Sequence, residues 1–160
     1  MSSTRRDFIK TASVLAAGSI IPIDALSKAR LGISANDKIQ VGLIGARSQG
    51  FSDLASLLKN PEVECVALCD IDKNILTNQT NALVKLGFPQ PKLYGDYRRM
   101  LENKDIDVVI IGTPDHWHCL NFVDSLEAGK HVYVEKPMGN SIAEINIMHK
   151  AVQKHGKIVQ

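Results

Sequence analysis

Cysteine is scarce in this chain, and the three that occur, Cys65, Cys69 and Cys119, show no C-x-x-C spacing. An odd set of this kind argues against a paired-thiol centre and for buried free thiols, with a Cys65–Cys119 or Cys69–Cys119 bridge open in an oxidising compartment. Cys65 and Cys69 are four apart on one expected strand, which would put them on the same face. No long hydrophobic run is present either. The apolar stretch from Thr11 to Ile23 falls short of the ~20 residues that cross a bilayer, so no stable membrane span is expected. Neither sign of charge dominates, the formal net being +2. Even that excess is local: Arg5, Arg6, Lys10, Lys28 and Arg30 oppose only Asp7 and Asp24, leaving the remainder slightly acidic. A nucleic-acid surface is excluded on that balance. There is no low-complexity tract and no repeat beyond two half-folds. What remains, 44% hydrophobic and 22% charged over 160 residues, is enough for one globular domain with a proper core and too little for two.

The N-terminus reads as an address. Thr4-Arg5-Arg6-Asp7-Phe8-Ile9-Lys10 resembles the twin-arginine export motif S/T-R-R-x-F-L-K, with Ile9 in the leucine position. The short apolar run and the basic Lys28 and Arg30 follow, without a clear A-x-A cleavage site. The expectation is a signal and linker over residues 1–35, handled by the twin-arginine translocase. Residues 36–160 would form a domain exported to the periplasm or beyond.

The stretch KIQVGLIGARSQG, Lys38 to Gly50, organises the rest. Ile39, Val41, Leu43 and Ile44 form a short, β-branched apolar run that stops at Gly45. Gly50 then opens a segment of helical spacing, Phe51 to Lys59. A strand turning into a helix through glycines leaves free N–H groups where the helix dipole favours a phosphate. Gly45 and Gly50 stand as first and third glycines of a G-x-G-x-x-G fingerprint. Arg47 replaces the middle glycine, so it must either point away or meet the phosphate itself.

Downstream, strand and helix patterns alternate. Strands are expected at Val63–Cys69, Lys92–Tyr94, Asp107–Ile111 and His131–Glu135, with a sixth beginning at Lys157–Gln160. Helices are expected at Asp72–Leu86, Tyr97–Glu102 (N-capped by Asp96), His116–Ala128 and Ser141–His155, the last with Glu144 completing an S-x-x-E capping box. This rhythm predicts an α/β doubly wound parallel sheet in the order 3-2-1-4-5-6, with ligands at the carboxyl ends of the strands.

The residues at those ends carry the chemistry. Asp70 ends the second strand twenty residues after Gly50, where a carboxylate would accept hydrogen bonds from a ribose diol and repel a 2′-phosphate, favouring NAD over NADP. Asp72 competes with it for the role of helix cap. Thr113 and Pro114 follow the fourth strand and could line a cofactor cleft. Asp115, His116 and His118 invite a metal reading, but histidines two apart do not share a helical face and no Cys or third His is near, so no metal is assigned. Glu135-Lys136-Pro137 follows the fifth strand, with Glu135 and Lys136 expected to point to opposite faces.

HVYVEKPMGNSIAE, IIGTPDHWHCLNFVDSLEAGK and VGLIGARSQG together resemble the glucose–fructose oxidoreductase/inositol dehydrogenase family (Gfo/Idh/MocA) over residues 38–160. The resemblance implies a Rossmann-like domain binding NAD, with NADP as the alternative. Its contacts would come from Gly45, Arg47, Gly50, Asp70, Thr113, Pro114, Glu135 and Lys136, with Lys136 also the catalytic residue beside the reacting carbinol. It implies hydride transfer on a sugar, inositol or related polyol, or an NAD-using glycosidase reaction. It further implies a mainly β second domain that this chain does not contain, so a fragment of a longer protein is expected. A non-catalytic dinucleotide-binding module is the other reading, and the oligomeric state is left open.

Overall fold

The computed structural model describes residues 38–160. The export motif, and the expected domain boundary near residue 35, lie outside the described residues. In order the elements are β1 (Ile39–Ile44), α1 (Ser48–Leu57), β2 (Val63–Cys69), α2 (Lys73–Lys85), β3 (Lys92–Tyr94), α3 (Tyr97–Leu101), β4 (Val108–Ile111), a 3-10 turn (Asp115–Trp117), α4 (His118–Glu127), β5 (His131–Val134) and α5 (Ile142–His155). All neighbouring strands pair parallel, in the order β3-β2-β1-β4-β5. The expected sixth strand is reduced to a single parallel bridge, Val132 to Val159, in the place the sixth strand would take.

The chain winds outward from β1 in both directions. Because crossovers between parallel strands are right-handed, helices joining strands to one side of β1 fall on one face and those to the other side on the opposite face. On the first face Leu54, Leu76 and Leu83 of α1 and α2, with Leu58 just after α1, pack on Val41, Leu43, Leu68 and Ile110. On the second, Met100, Phe122, Leu126 and Met148 of α3, α4 and α5 pack on Ile44, Ala67, Val109 and Ile111. The central strands are buried on both faces, which is why β4 reads as an unbroken apolar run. Among the described residues no helix is long and apolar enough to cross a membrane.

Local signals set the helix starts. Asp72 accepts the Asn74 N–H, Asp96 the Arg98 N–H, and Ser141 the Glu144 N–H. The capping box at Ser141 is shifted by one residue: the Glu144 carboxylate takes the N–H of Asn140, 2.6 Å away. The helix expected from His116 divides into the 3-10 turn and α4. Gly50 lies inside the first turn of α1 rather than before it.

One expectation fails on a strand irregularity. Pairing runs Val41 with Cys65 and then Gly42 with Ala67, so Val66 is an extra residue in β2. A bulge of this kind reverses the inward and outward alternation beyond it. Cys65 therefore packs under α1 and α2, while Cys69 packs on the opposite face. All three cysteines are free, and burial pushes the thiols of Cys65 and Cys69 up to about 12.

Candidate functional site

Three glycines from distant parts of the chain make the wall of the site. Gly45 follows β1 with φ +84°, a left-handed conformation that a side chain would strain, and a Cβ there would come within 2.7 Å of the Gly112 and Thr113 backbone. A Cβ on Gly50 would strike the carbonyl of Gly45, and one on Gly112 the Cα of Gly50. The end of β1, the first turn of α1 and the end of β4 thus meet backbone to backbone. This close approach opens the N-terminus of α1, which has no side-chain cap.

Asp70 closes the other side. Its Oδ2 accepts the Ala46 N–H and its Oδ1 the Asp72 N–H, both at 2.9 Å. One carboxylate therefore pins the glycine turn after β1 to the start of the loop before α2. Asp72, not Asp70, caps the helix. Arg47 occupies the N-cap position of α1 and turns outward, its guanidinium 3.2 Å from Asp72 and its side chain 68% exposed. Of the two options for Arg47, this is the outward one.

Gly45, Asp70, Thr113 and Pro114 line one cavity of about 470 Å³ at the carboxyl ends of β1, β2 and β4. Tyr97, Trp117 and Asn121 are among the other residues of its wall. Thr113 Oγ1 lies 3.4 Å from Oδ1 of Asn121, which is 1% exposed. The Tyr97 hydroxyl donates to Asp124 at 2.6 Å, and burial and that carboxylate raise its pKa. A larger depression, about 810 Å³, lies against the uncovered side of β4 and β5 and contains none of the candidate residues.

Lys136 and Glu135 follow β5 at the same edge of the sheet but do not line the cavity. Lys136 is exposed, joined to Pro137 by a cis peptide bond, and among the described residues its ammonium makes no ion pair. Glu135 lies just past the strand. Its carboxylate accepts the Lys136 N–H at 3.0 Å and stands 3.5 Å from the Tyr133 hydroxyl. Near it, the carboxyl of Asp53 is pushed up by burial, with the charge of Glu135 adding to the effect and a hydrogen bond from Gln49 opposing it. Among the described residues no group of three or more His, Cys, Asp or Glu could hold a metal. His118 is buried with both ring nitrogens against carbonyl oxygens.

Sequence reasoning missed Gly112, Asn121, Tyr97 and Trp117. Gly112 had a signal, a glycine ending an apolar strand, but its close approach to Gly50 is a contact across sixty residues. The other three show no periodicity or motif that separates them from core or surface positions.

These features fit a dinucleotide. The glycine wall would be filled by any Cβ, the helix N-terminus is uncapped, and an acid stands at the end of β2. Residues 39–160 match the family designated GFO_IDH_MocA, described as an oxidoreductase family with an NAD-binding Rossmann fold. A glycosyl hydrolase family 109 protein of Shewanella baltica is 33% identical, over 88% of this chain and 35% of its own length. An α-N-acetylgalactosaminidase of Shewanella oneidensis is 32% identical over the same shares. The chain thus spans about a third of the length of these relatives. Among solved structures, the WlbA dehydrogenase of Chromobacterium violaceum, crystallised with NADH and UDP-GlcNAcA, superposes with a TM-score of 0.68 at 29% identity, covering 79% of this chain and 35% of that one. The myo-inositol 2-dehydrogenase of Lactobacillus plantarum does so at 0.67 and 28%, covering 77% and 35%. The chain belongs to the Gfo/Idh/MocA oxidoreductase family, and residues 39–160 are its NAD-binding Rossmann domain.

Proposed function

We propose that the whole protein is an exported oxidoreductase that moves a hydride between NAD and a carbinol of a sugar, inositol or related polyol, with this domain holding the cofactor. The single observation that carries the reading is the order of groups along one sheet edge. The uncapped α1 N-terminus stands at the centre, Asp70 to one side, and Thr113, Pro114 and Lys136 to the other. Bound NAD supplies the acceptor or donor of the hydride. Gly45 and Gly50 let the backbone N–H groups approach its phosphates. Asp70 keeps lone pairs for a ribose diol beyond those given to Ala46 and Asp72, and its charge favours NAD over NADP. Arg47, turned out to Asp72, is placed to soften that preference.

Lys136 Nζ takes the hydroxyl proton as the carbinol is oxidised and returns it in the reverse direction. A lysine serves as a base in its neutral amine form, which loss of solvent and a facing like charge favour over the ammonium. Lys136 is exposed in this domain, so its covering must come from substrate and from a second domain, which we assign to the longer protein. In that protein Lys136→Ala leaves NAD affinity nearly intact and lowers kcat by roughly 10²–10⁴. Turnover surviving within a factor of a few would remove Lys136 as the base.

The names of the Shewanella relatives favour a second reading within the same chemistry, a glycosidase that oxidises and re-reduces its sugar. Net NADH formation at 340 nm marks the dehydrogenase, and aglycone release without NADH accumulation marks the glycosidase. Export by the twin-arginine route rests on Thr4 to Lys10, the apolar run after it and the basic Lys28 and Arg30. Periplasmic location follows from it.

A further inference from the structure

His118 belongs to the motif first weighed for metal, and the proposed chemistry leaves it unused. It is the first residue of α4 and 1% exposed. Its Nδ1 lies 2.7 Å from the carbonyl oxygen of Pro137, and its Nε2 lies 2.8 Å from that of Thr113. Pro137 directly follows Lys136 in the loop after β5. Thr113 lines the cavity in the loop after β4. One ring therefore spans the two loops that carry the substrate side of the site.

Carbonyl oxygens only accept hydrogen bonds. A ring nitrogen that carries hydrogen therefore donates to the carbonyl it faces, and the ring is held between the two loops. The ionisable groups on the surrounding elements are engaged elsewhere. Asp115 accepts from the His116 amide, Glu144 from the Asn140 amide and Glu135 from the Lys136 amide. His116 and Lys136 are exposed.

We propose that His118 is a positioning residue, a strut between two loops that fixes the separation of Thr113 from Pro137 and so sets where Lys136 enters the site. The functional half of this rests on the reading of Lys136 as the base. The structural half does not.

The first test needs no variant. In a long-range ¹H–¹⁵N correlation spectrum of the ¹⁵N-labelled chain, the His118 ring is expected in one fixed state, with proton contacts to Thr113 and Pro137. Tautomer averaging of a free ring, or no such contacts, would overturn the strut. The second test uses turnover in the longer protein. Asn places its amide where Nδ1 lies and Gln where Nε2 lies, so each variant keeps one tie and loses the other. His118→Asn and His118→Gln should both lower kcat roughly 10- to 100-fold while NAD Kd stays within about threefold, the cost of misplacing a reacting group. Either variant retaining kcat within twofold would overturn the positioning role. If Lys136→Ala proves active, the base reading has failed, and the spectrum alone decides whether the strut exists.

Discussion

Replacing Asp70 with alanine should have two separable effects, because its carboxylate serves the loop as well as the expected ribose. In the free domain both oxygens are occupied at 2.9 Å by backbone N–H groups, of Ala46 and of Asp72. Deletion orphans two donors in a part-buried loop. Hydrogen bonds to a charged group contribute about 1.5–3 kcal/mol each, but water reaches this edge and can replace part of the loss. A total destabilisation of about 1–3 kcal/mol follows, measured as a shift of the urea midpoint at constant m. Loss of the ribose bonds weakens NAD by a further 1.5–3 kcal/mol, or roughly 10- to 150-fold in Kd, and narrows the preference over NADP. Asp70→Asn divides the two. Its oxygen keeps one N–H while its amide turns a donor on the other, so about half the stability loss is expected. Calorimetric titration with NAD and NADP, well below the unfolding temperature of each variant, gives the affinities. Unchanged NAD affinity in a folded Asp70→Ala would show that the carboxylate serves only the loop, and unchanged stability would show that the two N–H contacts contribute nothing.

Gly112→Ala should cost about 1–3 kcal/mol or more in stability, since its Cβ would meet backbone atoms of Gly50 and Gly45 that cannot rotate away; a wild-type urea midpoint would refute the close packing. Buried Cys65 and Cys69 keep their protons up to about 12, against 9.0 when unfolded. Their contribution is therefore complete below pH 9 and falls as pH rises towards 12, by about 1.4 kcal/mol per pH unit per thiol. Urea midpoints between pH 9 and 10 should fall less steeply in Cys65→Ala with Cys69→Ala than in the parent; an equal slope would reject the assignment. Changing Arg5 and Arg6 together to Lys should retain the protein in the cytoplasm, and unaltered export in a cell-fractionation assay would dismiss the twin-arginine reading.

The alternation of elements was legible because each signal is local. β2 and β3 fall at their expected bounds, and Asp72, Asp96 and Ser141 cap helices through amides two or three residues away. Gly45 was readable for the same reason: a strand that must turn into a helix needs a positive φ there, and the need is written in the residue itself. The family resemblance rested on runs of this kind, each a strand followed at once by its turn. Other features depend on what a residue meets across the sheet. The extra residue Val66 has no mark in VECVALC, yet it sends Cys69 to the face opposite Cys65, because the register of β2 is set by β1 and not by its own alternation. Asp70 read as a ligand group, and its bonds to Ala46 and Asp72 exist only once β1 and β2 lie side by side. His118 could be a ligand, a core residue or a cap in DHWH. Two carbonyls, five and nineteen residues away, make it a bridge. Periodicity encodes which face a side chain takes, whereas its partners are set by chain separations that periodicity does not span.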